Sequence, residues 1–75
     1  MKNVILLGYG KMGSSIAKGW RLKKLNFNFF VVEKVSSLRK IAFEDGFSAY
    51  KDLEQLTQFV KVNSGDIIFL AVKPQ

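Results

Sequence analysis

The sequence predicts an α/β domain with a parallel four-stranded sheet in the spatial order 3-2-1-4 and three helices between the strands. Three observations predict it. An apolar run over residues 4–7 ends in glycines spaced Gly8-x-Gly10-x-x-Gly13, and a helix-like pattern starts at once. Apolar runs then recur at 27–32, 47–50 and 66–72, separated by amphipathic stretches of helical length. The run at 27–32 is continuous rather than alternating, broken only by Asn28, which suits a parallel strand covered on both faces. Strand–helix alternation with right-handed crossovers gives the first half of a doubly wound fold.

The first strand is Asn3–Leu7. Gly8 permits the tight turn out of it. Gly10 lacks a Cβ, so a pyrophosphate can approach the backbone there, and Gly13 lets the helix lie close to the strand. A strand before and a helix after is the context that the dinucleotide-binding fingerprint requires, which makes the chain a Rossmann-type half domain. The free N–H groups and dipole of the helix N-terminus attract phosphates. Ser14 stands where a Walker A loop needs lysine, which excludes that loop. The plain alternative is a glycine-rich turn with no ligand.

The first helix is expected over 11–24. Met12, Ile16 and Trp20 recur every four residues beside Gly13 and Ala17, forming one packing face. Gly19 inside it costs about 1 kcal/mol relative to alanine, for which close packing is the expected reason. The second strand is 27–32. Ser36 or Ser37 caps a second helix with the inner face Leu38, Ile41 and Ala42, and Gly46 stops it. Residues 47–50 form a short third strand. Asp52-Leu53-Glu54-Gln55 is a capping-box-like start, and Leu53, Leu56 and Val60 line the inner face of the third helix. Asn63-Ser64-Gly65 is a turn, and the fourth strand is 66–72. The first two helices then cover one sheet face and the third the other. The fourth strand is left as an apolar edge, a template for pairing with another chain. Phe43 and Phe59 fall off the inner faces of their helices, so a homo-oligomer through the fourth-strand edge is expected.

Composition bounds the chemistry. The 75 residues are room for one small domain. A chain 48% hydrophobic and 24% charged is globular rather than disordered. The longest fully apolar run, 67–72, falls far short of the roughly 20 residues that span a bilayer, and no signal peptide is recognisable. A cytoplasmic protein without membrane contact is expected. There is no cysteine and no histidine, hence no disulfide, no thiolate or imidazole metal site, and no histidine base. No catalytic residue and no metal ligand is therefore assigned; chemistry must come from a bound cofactor or another chain. The net charge of +6 raises nucleic acid as a partner. Lys18, Arg21, Lys23 and Lys24, however, complement a helix C-terminus, and no aromatic-plus-basic RNA motif is present, so nucleic acid is not expected.

Two stretches together carry a family resemblance: Gly8-x-Gly10-x-Met12-Gly13-x-x-Ile16-x-x-Gly19, and Asp66-Ile67-Ile68-Phe69-Leu70-Ala71-Val72-Lys73-Pro74-Gln75. Both resemble the N-terminal cofactor domain of pyrroline-5-carboxylate reductase. The glycine stretch alone is also similar to the 3-hydroxyisobutyrate and 6-phosphogluconate dehydrogenases. The resemblance implies NAD(P)H-dependent reduction of 1-pyrroline-5-carboxylate to proline, a step of proline biosynthesis. It implies that Gly8, Tyr9, Gly10, Lys11, Met12 and Gly13 hold the pyrophosphate and that Glu33 and Lys34 hold the adenine ribose. Ala71, Val72, Lys73 and Pro74 then lie beside the nicotinamide end. The family's helical C-terminal domain, with dimerisation and most of the substrate site, is not in these residues. A single truncated dinucleotide-binding domain without turnover of its own is therefore expected. The competing reading is a non-catalytic remnant that self-associates or serves as an interaction module.

Two residues keep two readings. Glu33, 20 positions beyond Gly13, can accept hydrogen bonds from the ribose hydroxyls, which favours NAD. Lys34 and Ser36 are placed to hold a 2′-phosphate instead, which would favour NADP, and Glu33 could also be a solvated strand end. Lys73 lies either near the cofactor or in solvent.

Overall fold

The computed structural model describes residues 2–24 and 26–71. The elements are β1 (Asn3–Leu7), α1 (Lys11–Leu22), β2 (Asn28–Val32), α2 (Ser36–Glu44), β3 (Ser48–Tyr50), α3 (Leu53–Phe59) and β4 (Ile67–Leu70). The sheet order is β3-β2-β1-β4 and every pair is parallel, as the sequence predicts. Leu7 lies opposite both Val32 and Leu70, and Val32 lies opposite Tyr50. All four strands therefore end level, along one edge of the sheet.

Each helix end has a local cause. After α2, Gly46 takes φ +94, its N–H donates to Phe43 O, and the Phe47 N–H donates to Ala42 O. This is a Schellman stop, which glycine alone enters without strain. The same bond explains why β3 starts at Ser48 and not at Phe47: the Phe47 donor is already committed to the helix. At α3, Asp52 Oδ1 accepts from Gln55 N at 2.7 Å, while Gln55 Oε1 reaches back to Lys51 N at 2.9 Å. That is the expected capping box with its return bond one residue further out. Neither Ser36 nor Ser37 caps α2. The cap position is Val35, whose carbonyl accepts from Leu38 N and Arg39 N and whose N–H donates to Glu33 Oε2.

Alternation sorts the strand side chains between the faces. Leu6 and Val31 join Ala17, Ala42, Phe47, Tyr9 and Ala71 in a core beneath α1 and α2, flanked by Ile16, Trp20, Phe29 and Ala49. Ile5, on the opposite face, is fully buried, as is Leu56 of α3. The seam of α1 is narrower than expected. Gly13 and Ala17 are its buried residues, and Met12 is 53% exposed because it sits a helical step off that line. Ile41 and Leu53 are likewise exposed, leaving Ala42 and Leu56 as the buried residues of α2 and α3. Gly19 is not packed closely: a Cβ there would meet nothing within 4 Å.

The edge strand stands apart. All four residues of β4 are exposed, from Phe69 at 41% to Leu70 at 66%. Its one aromatic anchor is Phe69, edge-on to Trp20 with centroids 5.5 Å apart. At the opposite end from the glycines, Asp66 pins β4 to β1. Its Oδ1 accepts from Asn3 N at 2.9 Å, and its Oδ2 accepts from Asn3 Nδ2 at 3.0 Å and Asn63 N at 2.7 Å. Phe43 and Phe59 are exposed as expected, although Phe59 stacks on Tyr50 at 5.8 Å. Among the described residues no helix is long and apolar enough to cross a membrane, and no group of three metal-ligating side chains occurs.

Candidate functional site

The site forms where the strands end. In an open parallel sheet the crevice lies outside the carboxyl ends, where successive crossovers turn to opposite faces. Here that reversal falls between β1 and β4, and the glycine loop sits on it.

Gly8 leaves β1 with φ +106, a conformation open to glycine, and its N–H donates to Val32 O at 2.8 Å. Gly13 faces back onto it. A Cβ at Gly13 would run into the Gly8 carbonyl oxygen and lie 2.9 Å from the carbonyl carbon, so α1 approaches β1 only because residue 13 is glycine. Gly10 is different. Its φ of −73° suits any residue, and a Cβ there would meet nothing within 4 Å. Neither its backbone nor any described neighbour requires a glycine at Gly10, and the space its Cβ would take is the approach to the N-terminus of α1. Among the described residues no side chain caps that terminus, and its first turn carries no acidic residue. A pyrophosphate fits this cradle by shape, by donor supply and by the sign of the dipole.

Lys11 and Met12 stand exposed at the helix start, and their backbone N–H groups precede the first bond of α1, Ser14 N to Gly10 O. Tyr9 belongs to the loop by its backbone; its side chain is 1% exposed and turned into the core. There the phenol donates to Asp45 Oδ2 at 2.6 Å, and burial together with that carboxylate pushes its pKa well above the ordinary tyrosine range.

Glu33 is not a freely solvated strand end. Oε1 accepts from Tyr9 N at 2.7 Å and Oε2 from Val35 N at 2.9 Å, tying the glycine loop to the turn after β2. Each oxygen keeps a further lone pair for a ribose hydroxyl. Arg39 supports the turn from below, its Nη1 donating to the carbonyls of Glu33 and Lys34, both at 2.8 Å. A cleft of about 500 Å³ opens beside these groups, lined by Leu7, Gly8, Glu33, Lys34, Val35 and Leu53 among others. Lys51 and Asp52 complete its far wall. Sequence reasoning missed Lys51, Leu53 and Arg39. The usable signal for the first two was topological: residues following β3 must reach the same edge as those following β1 and β2.

Ala71 is buried beneath the loop. Its N–H donates to Leu7 O at 2.9 Å, and its Cβ lies 3.5 Å from where a Gly13 Cβ would stand. Val72, Lys73 and Pro74 lie outside the described residues.

The family model for NADP oxidoreductase, coenzyme F420-dependent, matches residues 3–75, nearly the whole chain. The chain belongs to this family. The F420-dependent NADP oxidoreductase family accounts for the glycine loop, the sheet order and the crevice together, and makes this an oxidoreductase-family domain of the nicotinamide-dinucleotide-binding type. No curated protein and no solved structure matches the chain.

Proposed function

We propose that the chain is the dinucleotide-holding part of a pyrroline-5-carboxylate reductase, with NAD(H) favoured over NADP(H). Gly10 carries the reading: among the described residues nothing meets a Cβ there, and it stands at the uncapped N-terminus of α1, on the approach a pyrophosphate would take. The backbone N–H groups at the start of α1 bind the pyrophosphate, and its dipole favours the charge. Glu33, held by Tyr9 N and Val35 N, accepts from the ribose hydroxyls and repels a 2′-phosphate, which favours NAD. When bound, a reduced nicotinamide would supply a hydride to the imine carbon of 1-pyrroline-5-carboxylate, with a proton from solvent to the imine nitrogen, giving proline. The substrate half rests on the sequence Ala71-Val72-Lys73-Pro74-Gln75. With no histidine and no cysteine, these 75 residues are expected to bind the dinucleotide without turnover of their own.

The family match favours a second reading, hydride exchange between NADP and F420. Titration with NADH, NADPH and F420, followed by Trp20 fluorescence or heat, separates the two. The expected result is binding of NADH ahead of NADPH, abolished by Gly10→Val with an unchanged circular dichroism spectrum. No response to millimolar NADH or NADPH overturns the dinucleotide assignment. In the native assembly, NADH oxidation that depends on 1-pyrroline-5-carboxylate supports the first reading, and dependence on F420 supports the second.

A further inference from the structure

Tyr9 lies between two glycines of a loop that gains its binding power from fixed N–H directions. Glycines on both sides leave such a loop with more backbone freedom than any other sequence would. A site that must first order itself binds more weakly than one ordered in advance. Tyr9 is fastened at both ends. Its N–H donates to Glu33 Oε1 at 2.7 Å, at the end of β2. Its hydroxyl donates to Asp45 Oδ2 at 2.6 Å, at the C-cap of α2, with the ring tilted against Phe47 at 6.1 Å.

Asp45 is itself held from three sides. Its N–H donates to Ile41 O at 2.9 Å, its carbonyl accepts from Arg21 Nη1, and Lys18 Nζ lies 3.7 Å from the carboxylate oxygen that receives the phenol. Arg21 also lies over the Phe47 ring, 5.2 Å from its centroid. The C-terminal half of α1, the last turn of α2 and the glycine loop thus converge on one residue, with Lys18 and the Tyr9 hydroxyl at its carboxylate. A core position needing only an aromatic ring would accept phenylalanine. This one spends a short, charge-assisted bond on a buried hydroxyl.

We infer that Tyr9 is a positioning residue of the dinucleotide site, acting through Asp45 to hold the Gly8–Gly10 backbone in its phosphate-accepting conformation. The inference rests on the dinucleotide reading above. Two measurements test it, at a temperature where circular dichroism shows each variant folded. In ligand-free protein, Tyr9→Phe and Asp45→Ala should speed amide exchange at Tyr9 about tenfold while leaving α3 unchanged. In titrations with NADH, both should raise Kd about tenfold, while Asp45→Asn, which keeps only a neutral acceptor for the phenol, should fall between wild type and Asp45→Ala. A merely structural role predicts a lower Tm with Kd and loop exchange unmoved, and that result in Tyr9→Phe overturns the inference alone. A wild type that binds neither NADH nor NADPH overturns the dinucleotide reading and this role with it.

Discussion

Of the two glycines inside α1, one is demanded by the structure and the other is not. Gly13 meets the Gly8 carbonyl, whereas Gly19 faces open space. Gly19→Ala should therefore raise stability by about 1 kcal/mol, the helix-propensity difference, seen as a higher urea midpoint at unchanged m. A lower midpoint would mean that α1 has no room for a methyl group at Gly19. The comparison shows what a sequence tells about single residues. Gly8 and Gly13 were legible because covalent geometry and the strand–turn–helix context leave them few other roles. Gly19 lies three residues after Ile16, but spacing cannot say whether a neighbour stands opposite. Glu33 was legible as an acid in the right place; its bond to a backbone N–H 24 positions away was not, because that partner exists only once β1 and β2 pair.

At the scale of elements, type and order were legible and boundaries less so. Continuous apolar runs and glycine stops mark strands and helices well. The ends move by a residue or two when one donor is claimed by a neighbouring element, as Phe47 N is by Ala42 O. Asp66 shows a further effect, a side chain replacing a strand residue. Its carboxyl lies below the usual range because it accepts the backbone N–H groups of Asn63 and Asn3. A depressed folded-state pKa stabilises the fold above the unfolded value of about 3.9 and loses that contribution as pH falls through the folded value. Urea midpoints measured from pH 6 down to pH 2.5 should fall less steeply below about pH 4 in Asp66→Asn than in wild type. Parallel acid limbs would show that Asp66 does not set the acid response.

For the whole molecule, the exposed face and edge of β4 dominate. Ala71 turns its N–H to Leu7, so by alternation Ile68 and Leu70 direct theirs away from β1, toward whatever lies beyond the edge. Antiparallel pairing of two copies of β4 about a two-fold axis would satisfy these groups and cover apolar side chains. Sedimentation at roughly 100 μM, where an interface of about −5.5 kcal/mol becomes visible, should show a dimer for wild type. Ile68→Pro removes an outward donor without breaking a bond to β1, so it should give a folded monomer. A strictly monomeric wild type at that concentration ends this account of the edge.

The pin at Asp66 has a consequence at the far end of β4. Ile67-Ile68-Phe69-Leu70 is apolar on both faces, so sliding the strand by one residue would exchange one set of greasy side chains for another at little cost. Apart from Phe69 against Trp20, hydrophobicity gives this segment little preferred alignment. The two hydrogen bonds from Asn3 of β1 supply it, with Asn63 N steadying the carboxylate, and they act as the zero mark of a ruler. Five residues along that ruler, Ala71 seats against Gly13 beneath the phosphate cradle. An offset at the polar mark would carry Ala71 out of its seat, so an asparagine and an aspartate roughly 17 Å away calibrate the spacing of the glycine loop.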